Sequence, residues 1–240
     1  MTEASLAAQT SPVRGEGHFP LAGMSAPAAP KAARPRSWQH AGKRGLDIVL
    51  ASGLLLALLP VMLVITLLVL RDGKGAFFSH RRVGRDGRSF GCLKFRSMVP
   101  DAEAALAKLL AEDPEAAALW RTSRKLKRDP RITRVGRVLR ATSLDELPQL
   151  FNVLRGEMSL VGPRPVVQAE LTEHYGPHAS HYLAVRPGIT GLWQISGRSD
   201  TSYAERIALD VRYVERFSLW FDLVILAKTV PAVLVRRGAC

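Results

Sequence analysis

The chain is 240 residues long, 47% hydrophobic, and carries 34 Lys and Arg against 21 Asp and Glu, a formal charge of +13. That length favours one catalytic unit with extensions and argues against a separate second enzyme. So basic a chain suits phosphorylated substrates, anionic lipid headgroups or nucleic acid. Cys92 and Cys240 lack the paired spacing of a zinc framework or disulfide scaffold and read as two unpaired thiols.

Residues 1–36 are rich in Ala, Pro, Gly and Ser without apolar periodicity, so a disordered tail is expected. They lack the apolar core of a secretory signal. The run Leu46–Leu70 follows, with no charge for 23 residues from Ile48 onward. As a helix these residues reach about 34 Å, enough to cross a hydrocarbon core of about 30 Å, so a plain transmembrane span is the default. Two features favour another path. Pro60 removes a backbone donor near the middle and is expected to kink the helix into halves of about 18 Å each. Both flanks are also basic, with Lys43 and Arg44 ahead and Arg71, Lys74, Arg81 and Arg82 behind. A span should show asymmetry, because cytoplasmic flanks collect Lys and Arg. The segment is therefore expected to enter the cytoplasmic leaflet, bend at Pro60 and return to the same side. Proline also occurs in ordinary spans, so a crossing stays open.

Next, Asp86-Gly87 between β-prone runs predicts a hairpin. In an extended LKFRSM the period of two puts Lys94 and Arg96 on one face and Phe95 on the other. Residues 100–127 are helical in pattern with a break at Asp113-Pro114, and residues 131–140 form a basic amphipathic segment. Residues 203–217 place Ile207, Val211 and Val214 on one helix face. The apolar stretch 217–235, interrupted by Asp222, Lys228 and Pro231, suits the membrane interface, with Trp220 near the headgroups. A charge such as Asp222 beside membrane is costly, so function or an ion pair must explain it. His174, His178 and His181 have a metal-like spacing, but Pro177 breaks the turn they need, and a solvated face is expected. Trp193 and Trp220 read as packing or interface residues.

The polar groups concentrate in RATSLDELPQLFNVLRGEMSLVGPRP, Arg140 to Pro165. Ser143-x-x-Glu146 fits a capping box, with Asp145 merely favouring the positive end of a helix. With Ser143 as the cap, however, Pro148 falls where its missing N–H is felt. With Asp145 nearer the cap, Pro148 lies in the tolerant first turn and the carboxylate faces free backbone donors, where phosphate and metal also bind.

KFRSM, SLDELPQLFNVLRGEMSLVGPRP and RPGITGLWQISGR, in that order behind a basic-flanked apolar segment, resemble the bacterial sugar transferase family, the monotopic polyprenyl-phosphate hexose-1-phosphate transferases. The likeness covers about residues 40–240, and its C-terminal part is similar to members that transfer galactose or glucose phosphate in exopolysaccharide or O-antigen synthesis. The resemblance implies a mainly α fold with a small β-hairpin (α+β), divided into a tail (1–36), a membrane-associated re-entrant helix (37–75) and a cytoplasmic catalytic domain (76–240) with interfacial C-terminal helices. It places the protein at the bacterial inner membrane, its catalytic domain on the cytoplasmic face. It implies transfer of hexose-1-phosphate from a UDP-sugar to undecaprenyl phosphate, with Asp145 as the nucleophile that expels UMP and holds a sugar-phosphoryl intermediate. Mg²⁺ is the implied cofactor, with Asp145 in contact with it. For Glu146, metal positioning, proton handling and capping all stay open. Lys94, Arg140, Arg164 with Pro165, Arg186, Arg198 and Asp222 match family positions expected to bind substrate. Surface charge or headgroup contact is the plain alternative for the arginines, and turn chemistry for the Pro and Gly of RPGITG.

Membrane lipids are expected partners, nucleic acid is not, and a homodimer is left open. With aromatics at 7% and no recognition helix, nucleic-acid binding fits poorly. The competing class is a non-enzymatic membrane adaptor of a polysaccharide assembly system.

Overall fold

The computed structural model describes residues 35–73, 75–123, 126, 129–196 and 202–234. The expected tail lies outside the described residues but for its last two. Ten helices and two small sheets are described, so the fold is mostly helical with a hairpin, as the sequence implies.

Helix α1 (Ser37–Arg71) contains Pro60 and is long and apolar enough to cross a membrane. Its buried residues, Lys43, Asp47, Ala51, Met62, Ile65 and Val69, form one stripe at helical spacing. Ala51 joins the main core, whereas Met62, Ile65 and Val69 pack with Phe95 and Leu139. Leu54, Leu56, Leu59, Leu63, Val64 and Leu67 are exposed. A continuous apolar surface of this kind marks a membrane-contacting face.

Strands β1 (Phe77–Val83) and β2 (Ser89–Phe95) pair antiparallel from Phe77↔Phe95 to Val83↔Ser89. The turn between them has Asp86 at φ 57° and Gly87 at φ 79°, the left-handed conformations that an Asp-Gly pair tolerates. Alternation along β2 buries Phe95 and leaves Lys94 half-buried on the other face. Helices α2 (Ala102–Glu112) and α3 (Pro114–Ser123) divide at Asp113, whose Oδ1 accepts from the N–H groups of Glu115 and Ala116. Helix α4 (Arg134–Thr142) starts at Thr133, which caps Gly136 N–H at 2.9 Å. Gly136 is required there because a Cβ would sit 2.0 Å from the Ser97 carbonyl oxygen.

Helix α5 (Gln149–Arg155) lies under the hairpin and leads into β3 (Ser159–Val161), which pairs in parallel with β4 (Gly188–Thr190). Between them α6 (Gln168–Glu170) continues through a wide turn, Leu171–Tyr175, and a tight one, Gly176–His178, into α7 (Ala179–Ala184). The histidine face departs from expectation, since His181 is buried while His174 and His178 are exposed. The helix completes its turn past Pro177 and carries position 181 inward. After the short α8 (Leu192–Ile195), α9 (Tyr203–Glu215) buries Ile207 and Val214 as its periodicity predicts. Helix α10 (Leu219–Leu234) buries Asp222 and Ile225 and leaves Trp220 75% exposed.

Polar side chains fasten α1 to this body. Lys43 Nζ donates to Asp222 Oδ2 at 2.6 Å, and Tyr213 Oη donates to Asp222 Oδ1 at 2.8 Å. Arg44 donates to the Val153 and Leu154 carbonyls at the end of α5, and Asp47 Oδ1 accepts from Leu160 N–H at 3.0 Å. With Met62, Ile65 and Val69 packed on Phe95 and Leu139, residues of α1 on both sides of Pro60 rest on the remainder of the protein.

Candidate active site

Asp145 and Glu146 sit in a joint between two helices. Helix α4 ends because Ser143 adopts φ 56°, a left-handed C-cap. A single tight turn, Leu144–Glu146, follows, and Pro148 then takes the N-cap of α5, where its missing N–H costs nothing. Ser143 makes no side-chain capping bond, so the capping-box alternative is set aside. Asp145 is held in the turn ahead of the helix, 7% exposed.

Lys94 reaches this turn from β2. Its Nζ lies 2.6 Å from Glu146 Oε1 and 3.5 Å from Asp145 Oδ2. Asn152, fully buried on α5, fixes the strand: its Oδ1 accepts from Leu93 N–H at 2.9 Å and its Nδ2 donates to the Gly91 carbonyl at 2.8 Å. This positioning residue was missed from sequence, although an Asn inside the apolar run QLFNVLR was the available signal.

Burial pushes the Asp145 carboxyl above its ordinary range; Lys94 opposes this, Glu146 adds to it, and Arg140 opposes it again. Burial alone would lower the Lys94 ammonium, but the Glu146 and Asp145 carboxylates outweigh it and raise Lys94. A nucleophilic role for Asp145 would require the ionised carboxylate, and activity should then fall as pH drops through the Asp145 pKa. Lys94→Met removes the cation that opposes the rise, so the acid limb of the pH–rate profile should move to higher pH. An unmoved limb in that variant means Lys94 does not set the charge state of Asp145.

The structure thus brings together Lys94, Asp145 and Glu146, with Arg140 close enough to act electrostatically on Asp145. Arg164 lies elsewhere in its contacts, its guanidinium 5.6 Å from the centre of the Trp193 ring, with Arg206 5.0 Å from the same ring. Pro165 beside it is half-buried. The same pocket holds Asp210, which burial pushes up to about 7 and which accepts from Tyr175 Oη at 2.8 Å. Arg186 donates through Nε to the Gly156 carbonyl at 2.7 Å, at the opposite end of α5 from Asp145. Asp222 is enclosed in the seam between α1 and α10, where Lys43 provides the ion pair its position demanded. Arg198 lies outside the described residues. The Gly and Pro of GPRP and RPGITG have a packing role: Gly162 N–H donates to Thr190 and Gly188 N–H to Pro163, and a Cβ on Gly188 would stand 2.1 Å from Gly162 N.

Two adjacent carboxylates that already face a common cation also suit a divalent metal, a hard ion that takes oxygen ligands and leaves room for phosphate.

Residues 38–236 match the bacterial sugar transferase family. The chain is 54% identical over 197 residues to the UDP-galactose-lipid carrier transferase of Erwinia amylovora, an alignment covering 82% of this chain and 41% of that protein. It is 54% identical over 198 residues to the exopolysaccharide production protein ExoY of Rhizobium meliloti, covering 82% and 87%. It is 53% identical over 197 residues to the undecaprenyl-phosphate galactose phosphotransferase of Salmonella typhimurium, covering 82% and 41%. The chain spans about two fifths of the Erwinia and Salmonella proteins and most of the Rhizobium one. It belongs to the bacterial sugar transferase family, and so to the transferase class of enzymes.

Proposed function

We propose that this protein transfers a hexose-1-phosphate, galactose or glucose, from a UDP-sugar to undecaprenyl phosphate as the first membrane step of exopolysaccharide or O-antigen repeat synthesis. The observation that carries the reading is a buried carboxylate, Asp145, set against Lys94 and Glu146 beneath the basic helix α4 and beside a membrane-contacting helix. The names of relatives that act on undecaprenyl phosphate or a UDP-galactose-lipid carrier point the same way.

Asp145 attacks the sugar-bearing phosphorus of the donor. A carboxylate oxygen–phosphorus bond forms, the bond to the UMP oxygen breaks, and UMP departs with that electron pair. An oxygen of the lipid phosphate then attacks the same phosphorus and the aspartyl oxygen leaves, which restores the carboxylate. Splitting the transfer lets one site serve a soluble donor and a lipid acceptor in turn. Lys94 compensates the negative charge that crowds the nucleophile, and Arg140 adds positive potential beside it. Mg²⁺, held by Asp145 with Glu146 and phosphate oxygens, would supply further charge neutralisation.

The protein then works at the cytoplasmic face of the bacterial inner membrane, where nucleotide sugars are available. Docking of both arms of α1 on one body supports a helix that enters and leaves on the same side, bending at Pro60. The test is an array of UDP-sugars with undecaprenyl phosphate and Mg²⁺, assayed for UMP release by the detergent-solubilised protein. Release with UDP-galactose or UDP-glucose is expected. No release from any donor would instead favour a membrane adaptor.

A further inference from the structure

A cleft of about 310 Å³ lies between the hairpin turn and the C-terminal end of α5. Its walls carry Arg85, Arg88, Arg155 and Arg186 against only two acids, Asp86 and Glu157. Both acids are engaged, Asp86 with Arg85 Nε at 3.2 Å and Glu157 as acceptor from Asn152 Nδ2 at 2.6 Å. Arg88 and Arg155 are exposed and form no ion pair among the described residues. Arg186 is anchored through Nε to the Gly156 carbonyl, while its two terminal nitrogens make no hydrogen bond among the described residues.

The four arginines and two acids leave the lining a net charge of about +2. Burial, and then the charges of Arg85 and Arg44, hold the Arg186 guanidinium below its usual range. Burial, and then Arg85 and Arg186, do the same to His40 on the first turns of α1. The end of a helix ordinarily repels anions, since its last carbonyls carry negative charge. At α5 those carbonyls are already covered, Val153 and Leu154 by Arg44 and Gly156 by Arg186.

The cleft is remote from the catalytic pair. Arg88 stands six residues from Lys94 along an extended strand, about 20 Å, and Gly156 lies about 12 Å of helix beyond Pro148. It borders instead the N-terminal arm of α1, with the Arg44 guanidinium 3.6 Å from where a Gly156 Cβ would stand. Ile48, one turn further on, begins the uncharged run. The cleft thus lies at the depth where α1 passes from polar to apolar surroundings, the level of lipid headgroups.

We propose that this cleft is a second phosphate-binding site, separate from Asp145, which holds the phosphodiester headgroup of an anionic membrane lipid. The full chain in neutral detergent is titrated with dioctanoyl phosphatidylglycerol, with inorganic phosphate and with zwitterionic dioctanoyl phosphatidylcholine, and thermal unfolding is followed. A ligand that binds only the folded state raises Tm. Phosphatidylglycerol should raise Tm and phosphatidylcholine should not. The double variant Arg88→Ser/Arg155→Ser, which removes two exposed side chains and leaves the catalytic pair intact, should bind phosphatidylglycerol about thirty-fold more weakly. The control Lys108→Ser/Arg121→Ser, with the same loss of charge on α2 and α3, should respond as the wild type does. A response to inorganic phosphate alone, lost in the double variant, would make the ligand soluble phosphate and overturn the lipid assignment. A double variant that responds like wild type, or a control pair that weakens equally, removes the site altogether. UMP release by the double variant in detergent reads the transfer chemistry separately, so failure of the cleft and failure of the proposed reaction are distinguishable.

Discussion

Replacing Asp145 by Asn is expected to cut UMP release from UDP-galactose or UDP-glucose by roughly a thousand-fold or more while leaving the fold intact. The substitution keeps the shape of a side chain that is 7% exposed and removes only its ability to bond phosphorus. Stability should hold, because burial already opposes the charged form of Asp145 and Lys94 retains Glu146 at 2.6 Å. The decisive companion measurement is chemical: donor without acceptor, quenched and digested, should leave a sugar-phosphoryl group on position 145. Glu146→Gln should still form that adduct, since the proposed nucleophile is Asp145. An adduct on Glu146, or full turnover by Asp145→Asn, would transfer the nucleophile's role elsewhere.

The second large effect is one of stability. Lys43 and Asp222 are buried together, 6% and 1% exposed, and they bridge helices whose sequence positions are 179 residues apart. Removing one partner leaves an uncompensated charge in the interior, so Lys43→Ala or Asp222→Ala should cost about 3–5 kcal/mol. The apolar double replacement Lys43→Met/Asp222→Leu should recover much of that loss, because neither charge then needs a partner. Chemical unfolding in detergent measures both. Activity of the double variant bears on the sequence reading of Asp222 as a substrate-binding residue: turnover near wild type would restrict Asp222 to holding α1, and an inactive but stable protein would return it to the site.

Local chemistry made part of this molecule legible in its sequence. Asp86-Gly87 specified the hairpin because few residues take two successive left-handed conformations, and Asp113-Pro114 marked the boundary of α2 and α3 because proline tolerates a first turn but not an interior. The alternation around Phe95 correctly turned Lys94 away from the core, towards the acidic pair. The missing parts depend on residues remote in sequence. Strands β3 and β4 are three residues each, too short for a periodicity of two to register, and what pairs them is the close approach of Gly162 and Gly188. The inward turn of His181 depends on a wide helical turn at Leu171–Tyr175 that no spacing rule anticipates. The polar fastening of α1 joins Lys43, Arg44 and Asp47 to partners more than a hundred positions away.

That fastening means anchor and enzyme are not separable modules. Helix α1 donates Ala51 to the main core and Ile65 and Val69 to the cluster that supports Phe95 and, through its strand, Lys94. Trimming the hydrophobic segment to obtain a water-soluble enzyme would therefore excise part of the core and strand the partner of Asp222. Deleting the segment is thus expected to unfold the body rather than to release it from its anchor.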